Sequence, residues 1–385
     1  MTTPLILRRG RVILADRVIE HAAVRLVDGR IDAVGPEAEI ASGGDEEIDL
    51  DGQFIAPGFV DGHCHGDGTT RFFDDPETVS ANLAARGTTT VLATLGYPDM
   101  QAGQLATQLR TFLANAGEHT RAILGGVHME GPYVNRLYGS QTSKGVIKNP
   151  DPDEYVALIA EFPDLIKWWT CAPELPGAVD FIRAAVRGGG VVGAGHTEAS
   201  VEQLRAAIDG GLRAITHWSN ATGNAHAAAF KGTRCPGIDE AALVFDEVSA
   251  EIIPDEQGLH VHPLMARLLF KAKGPERILI ITDAGYSRPD DPPASSEACD
   301  VSIDAEGNLA GSRLTMAGAS RNFRKATGCT WPELFRMAAL NTARLLQRDH
   351  EIGSIAPGKW ANLIVCDDHL RISRTFVRGR QINGE

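Results

Sequence analysis

His63, His65, Glu130, His196, His217 and Asp283 are the residues of this 385-residue chain whose types and settings could do chemistry. Each lies at the end of a short apolar run that reads as a β-strand: FIAPGFVDGH (54–63), RAILGGVHME (121–130), GVVGAGH (190–196), RAITH (213–217) and RILIITD (277–283). Imidazole and carboxylate suit zinc or a similar divalent ion, and an enzyme site leaves one position open for water. Along a strand, residues i and i+2 share a face, so His63 and His65 should point one way and Cys64 the other. Asp283 emerges from the apolar run ILIIT, where it reads as a general base toward water and then a general acid toward a leaving group. Structural readings compete: a single His at a strand end is usually a core or capping residue, and Asp is a common N-cap. What favours metal chemistry is that the candidates end five of eight counted strands.

Residues this far apart in sequence meet only if the fold gathers strand ends. The remaining runs expected as strands are 88–95, 165–172 and 243–253, and helical patterns fall between most of them at 76–86, 101–116, 151–162, 177–188, 199–210 and 258–272. Asp75-Pro76 and Thr197-Glu198-Ala199-Ser200 are helix starts, and Gly210-Gly211 is a stop. Eight alternating β and α units predict an α/β fold, a closed (β/α)8 TIM-like barrel over residues 54–340, with its chemistry on the C-terminal rim of the strands. The first fifty residues alternate in hydrophobicity and turn at Asp28-Gly29, and GSIAPGKWANLIVCD and ISRTFVRGRQI share that texture. They predict a small β-sandwich domain built from both termini, residues 1–53 plus 341–385. The stretches 221–242 and 285–320 read as long loops, the second carrying an exposed PDDPPASSE.

Composition narrows the setting. A formal net charge of −13 argues against a nucleic-acid partner, though a few local cations could still hold a small anion. The six cysteines are scattered without a C-x-x-C pair and read as reduced thiols. No stretch has signal-peptide or membrane-span character, so a cytoplasmic protein with no membrane association is expected.

A second constellation could bind an anion. Asn220 and Ala221 follow His217, Arg234 sits in TRCPG and His260 in GLHVHP, and backbone amides with one Arg and one His would suit a phosphate. Taken singly, such residues are ordinary surface groups. The Gly-rich GAGH (193–196) lacks the spacing of a nucleotide loop. Trp168-Trp169 read as packing, one inward and one outward, and Cys64 and Cys171 lack an acid–base partner that would make them nucleophiles.

With these residues in view, the chain resembles the amidohydrolase superfamily and, within it, the N-acetylglucosamine-6-phosphate deacetylases. The resemblance rests on APGFVDGHCHG (56–66), ARGTTTVLATL (85–95), GVHMEGPYVN (126–135), TCAPELPG (170–177), GAGHTEAS (193–200), THWSNA (216–221), TRCPG (233–237), GLHVHP (258–263), ITDAG (281–285), LAGSRLTMAG (309–318), NTARLL (341–346) and GSIAPGKWANLIV (353–365), in family order over nearly the whole chain. It implies that Glu130, His196 and His217 hold the main metal, most simply zinc, and that Asp283 is the acid/base. His63 and His65 match a pair that holds a second ion in some members, so one or two ions per subunit are expected. Asn220, Ala221, Arg234 and His260 match phosphate-site elements, with the Arg reaching from a neighbouring subunit of a homodimer. Leu309, Ala310 and Gly311 match a substrate-lining loop.

There are departures. Gln141 stands where relatives usually carry a substrate-touching His, Thr222 replaces the Met of Asn-Ala-Met, and the loop before Arg234 is longer. All concern substrate recognition. The expected reaction is hydrolysis of the acetyl group from an N-acetylated amino-sugar phosphate, N-acetylglucosamine 6-phosphate first. The alternatives are a different N-acyl compound, such as N-acetylgalactosamine 6-phosphate or a non-sugar amide, a cyclic amide, or a barrel that keeps a metal without catalysis.

Overall fold

The computed structural model describes residues 4–41, 43–139, 144–223, 235–286, 299–303, 307 and 309–382. Gln141, Arg234 and the PDDPPASSE stretch lie outside them.

Eight parallel strands follow one another around a cylinder: Phe59–Gly68, Thr88–Gly96, Leu124–Glu130, Ile166–Cys171, Val191–Ala194, Ala214–Ile215, Ser249–Ile252 and Ile278–Ile280. Every residue of TTTVLATLG in the second strand is buried, as expected of a parallel sheet covered on both faces. Closure is made by the eighth strand. It pairs with the seventh through Ile278–Ile280, then crosses to the first, where Asp283 N–H donates to His63 O (2.9 Å) and Ala284 pairs with Cys64. The interior is packed in tiers, as barrels of this kind require. Leu92, Trp168, Ala214 and Leu279, from strands two, four, six and eight, form one apolar cluster. Trp169 faces the opposite way into the strand–helix core, so the two tryptophans alternate as expected. Above the apolar tier the same strands supply Thr94, Thr170, Thr216 and Thr282, all buried.

The helices fall where the patterns placed them: Pro76–Ala85, Leu105–Asn115, Pro152–Glu161, Ala178–Arg187, Val201–Gly210 and Pro263–Lys273. Asp75 caps the first of these through Thr78 N–H (3.1 Å), and Ser200 with Gln203 forms a reciprocal cap at Val201–Gly210. Two expected loops carry more structure than the sequence suggested. Helix Ile238–Val244 occupies the end of 221–242, and strands Val301–Ile303 and Leu309–Ser312 form an antiparallel pair joined to the barrel beside Ala284.

The run expected as one strand over 54–63 is two. Phe54–Pro57 pairs with Leu363–Cys366 and with Leu5–Ile13, inside the sheet made by both termini, and the barrel begins only at Phe59. Gly58 is the hinge, because a Cβ there would lie 2.3 Å from the Thr89 side chain. The terminal sheet has eight strands and wraps its own core of Leu7, Val24, Ile31, Ile55, Val365 and Phe376. The Asp28-Gly29 turn is present, both residues at positive φ (48° and 79°) as a tight hairpin demands. Helix Asn341–Leu345, within the range expected for the small domain, packs instead on barrel strands one and eight. Among the described residues, no helix is long and apolar enough to cross a membrane.

Glu77 ties helix Pro76–Ala85 to the short helix Glu118–Ile123. It accepts from His119 N–H (2.8 Å) and Thr120 N–H (3.0 Å), the free amides of the second helix. Burial pushes its carboxyl up, but these hydrogen bonds override that and bring it down to about 2. A carboxylate with a depressed folded pKa contributes stability that is full above its ordinary value of about 4.5 and is lost as pH falls toward 2. Glu77→Gln should therefore unfold at lower denaturant than the parent at pH 7, and the gap should narrow steadily as pH falls below about 4.5. A gap that does not change with pH would contradict this reading.

A candidate metal centre at the barrel mouth

His63 and His65 lie in the second half of the first strand, Phe59–Gly68, and turn their rings toward the barrel axis, with Cys64 facing away and donating its thiol to Gly66 O (3.1 Å). Glu130 is the last residue of the third strand. His196, His217 and Asp283 each sit just past a strand in left-handed backbone (φ 48°, 30° and 47°). That region is rare for non-glycine residues, and here it turns each side chain inward at the point where the strand ends.

The other five side chains gather around Glu130, Asp283 through His63 and His65. Its Oε1 lies 2.8 Å from His196 Nε2, 3.2 Å from His217 Nε2 and 3.5 Å from His63 Nε2, and its Oε2 lies 3.2 Å from His65 Nε2. Asp283 Oδ1 is 3.3 Å from His63 Nε2 and 3.1 Å from His65 Nε2. His196 and His217 bring their Nε2 atoms within 3.1 Å of each other. Gly96, ending the second strand, leaves the space this needs. A Cβ there would stand 2.7 Å from His65 Cε1 and 3.1 Å from Glu130 Oε2. Gly139 likewise passes over His196, where a Cβ would fall 2.4 Å from Nδ1.

The donor set fits a divalent cation. A carbonyl can only accept, so the 3.0 Å contact of His217 Nδ1 with Asn220 O puts the proton on Nδ1 and leaves the Nε2 lone pair facing Glu130 and His196. His63 Nε2 is buried without a hydrogen bond among the described residues. Burial lowers the pKa of His63 and His65, but Glu130 and Asp283 reverse it, holding His63 well above the usual imidazole range and His65 near 9. The carboxylates respond in kind. Burial raises both, yet the adjacent imidazoles bring Glu130 well below its ordinary value and Asp283 to about 2. Protons and a metal compete for these lone pairs, and a cation belongs where they meet. Two sets of donors lie close enough to share an ion, Glu130 with His196 and His217, and Glu130 with His63 and His65.

A third set, His63, His128 and Glu251, is equally compact. His128 is already committed, with Nδ1 donating to Gly62 O (3.1 Å) and Nε2 facing the Thr170 hydroxyl (2.8 Å), itself 2.8 Å from that of Thr216. Burial, then the His63 charge, keeps it well below the normal imidazole pKa. Sequence reasoning missed both His128 and Glu251. The signal was spacing: His128 is two residues before Glu130 on one strand, and Glu251 breaks the apolar pattern of the seventh.

The second constellation is only partly brought together. Asn220 O accepts from His217 Nδ1–H (3.0 Å), and Ala221 O accepts from Thr197 N–H (3.3 Å). Thr222 donates to Asp239 Oδ2 (3.0 Å), so the residue that departs from Asn-Ala-Met anchors this turn. His260 is buried with Nδ1 3.2 Å from Asp255 Oδ2 and Nε2 unpaired among the described residues. Leu309, Ala310 and Gly311 lie in the strand beside Asp283, where Ser312 N–H donates to Asp283 O (2.9 Å) and a Cβ at Gly311 would approach that oxygen to 2.7 Å.

A closed barrel with an imidazole–carboxylate cluster at its mouth and a sheet from both termini defines a class of hydrolases, and the comparisons agree. Residues 54–382 match the amidohydrolase family, to which the chain belongs. The N-acetylglucosamine-6-phosphate deacetylase of Lysinibacillus sphaericus is 28% identical over 395 residues, spanning 98% of this chain and 97% of the relative. The N-acetylgalactosamine-6-phosphate deacetylase of Escherichia coli O157:H7 is 29% identical, spanning 97% and 98%. Among solved structures, a point mutant of N-acetyl-D-glucosamine-6-phosphate deacetylase from Mycobacterium smegmatis, in complex with N-acetyl-D-glucosamine-6-phosphate, superimposes with a TM-score of 0.85 at 28% identity and covers both chains fully.

Gly96→Ala should lower divalent-metal affinity on the order of ten-fold by displacing His65 and Glu130, with helix content by circular dichroism unchanged. Titration of chelator-treated protein with zinc checks this, and parental affinity in the variant would contradict it.

Proposed function

We propose that the protein is a metal-dependent deacetylase of N-acetylated amino-sugar phosphates, with N-acetylglucosamine 6-phosphate as its substrate. The observation that carries this reading is the convergence of His63, His65, His196, His217 and Asp283 around Glu130, in a chain similar end to end to deacetylases of this kind. Glu130, His196 and His217 would hold the ion, and nitrogen and oxygen donors favour zinc. His63 and His65, sharing Glu130, would hold a second. When bound, such an ion polarises the acyl oxygen and lowers the pKa of water from about 15.7 toward 7.

The remaining work falls to the chain. Asp283 is held ionised, because nearby imidazoles keep its carboxyl near 2 despite burial. It takes a proton from the attacking water as the oxygen–carbon bond forms. It then passes that proton to the nitrogen as the carbon–nitrogen bond breaks, releasing acetate and the free amine. Asn220, Ala221, His260 and Arg234 would grip the phosphate, Arg234 from the partner in a homodimer, and Gln141 with Leu309, Ala310 and Gly311 would line the sugar. Binding energy at the phosphate then orients the amide at the rim. The similarity to the Escherichia coli relative favours one further reading, N-acetylgalactosamine 6-phosphate. The six unpaired cysteines, four of them buried, support a cytoplasmic setting.

Asp283→Asn should cut kcat by about 10²–10⁴-fold while zinc content per subunit stays at the parental value. Parental turnover in this variant would remove Asp283 from the chemistry. In a panel of acetylated hexosamines with and without the 6-phosphate, kcat/KM should fall sharply when the phosphate is absent. The gluco/galacto ratio then chooses between the two sugars, and indifference to phosphate would refute the anion pocket.

A further inference from the structure

The seventh strand carries a buried carboxylate that the proposed chemistry does not use. Ser249–Ile252 alternates, with Ala250 and Ile252 in the strand–helix core and Glu251 turned into the barrel at 1% exposure. Removing a carboxylate from water is costly unless it is paired and hydrogen-bonded. Glu251 Oε2 accepts from His217 N–H (3.2 Å) and lies 3.3 Å from His63 Nδ1, and Oε1 has no hydrogen bond among the described residues.

We propose that Glu251 is a positioning residue that makes His63 a metal ligand and thereby builds the second ion position. A carboxylate has only acceptor sites to offer, so it draws the His63 proton onto Nδ1 and leaves the Nε2 lone pair facing Glu130 Oε1 and Asp283 Oδ1. The ring cannot turn away, because His128 packs edge-on against it with centroids 4.5 Å apart. His128 is fixed at both nitrogens by Gly62 O and Thr170. Strands one, three and seven thus form a tier below the rim in which one carboxylate orients one imidazole and a second imidazole wedges it. The His217 amide gives Glu251 a second hold, so the same side chain links both halves of the cluster.

This inference rests on the metal-dependent reading above, and the test separates the two. Chelator-treated parent, Glu251→Leu and Glu251→Gln are each dialysed against cobalt(II) or zinc(II). Bound metal per subunit is counted, and for cobalt the visible ligand-field bands are recorded. The parent should bind two ions. Glu251→Leu, which keeps bulk but loses the acceptor, should bind one of them about 10–100-fold more weakly and lose part of the cobalt spectrum. Glu251→Gln keeps a carbonyl acceptor and should restore the second ion. Equal affinity for two ions in parent and Leu variant would overturn the proposal. One ion in the parent would overturn it and leave the deacetylase reading standing, whereas no ion in the parent would overturn both. Should Glu251→Leu fail to fold, ¹⁵N spectra of histidine-labelled, zinc-loaded parent decide, with His63 assigned through His63→Asn. A protonated Nδ1 on His63 supports the proposal, and a bare Nδ1 overturns it.

Discussion

One carboxylate organises the barrel mouth. Glu130 is approached by four imidazoles from three other strands, all within 3.5 Å, and nothing in the local sequence around it brings them there. Only closure of the cylinder does so. The eighth strand leaves the seventh after Ile280 and joins the first at Ala284, which seats Asp283 beside His63 and His65. The Thr282 hydroxyl donating to Asp61 (2.6 Å) and Asp283 N–H donating to His63 O hold that seam. An open sheet of the same strands would leave the first and last apart, and Asp283 could not lie against the pair.

The cluster is bought with local strain. His196, His217 and Asp283 all take left-handed backbone, each at a cost of order 1–3 kcal/mol unless the surroundings hold it. The surroundings do. Asn135 N–H donates to His196 O, Trp218 N–H to Glu251 O, and Ser312 N–H to Asp283 O, so the backbone at or beside each turn is fixed. Glycines at 96, 139 and 311 supply the complementary economy of space, each where a single methyl would strike a cluster atom or its backbone.

Much of this is legible in the sequence because strand ends are punctuated. Histidines and carboxylates that terminate apolar runs stand out, and the barrel count follows from regular alternation of those runs with helices. Phe54–Pro57 escapes that reading because its residues are buried like those of a barrel strand, and the change of sheet is marked by Gly58 alone. His128 and Glu251 escape it for the opposite reason. They lie within strands rather than at their ends, and a polar residue inside an apolar run gives no sign of which way it faces until register is known. The same holds for Thr94, Thr170, Thr216 and Thr282, whose common tier exists only in the closed barrel.

The turn after the sixth strand touches two of the proposed roles at once. Asn220 stands out in the sequence as a phosphate-site element, yet its carbonyl also fixes the proton of His217. Ser219 N–H and the Thr222 hydroxyl both bind the Asp239 carboxylate, so the turn hangs from the head of helix Ile238–Val244. A shift of that turn would therefore disturb the hydrogen bond that keeps the His217 proton on Nδ1 and its Nε2 lone pair turned toward Glu130 and His196. A methionine at position 222, having no hydroxyl, could not make the bond to Asp239. Thr222 thus ties the turn that carries Asn220 to the head of that helix, and the same turn holds the Nδ1 proton of His217.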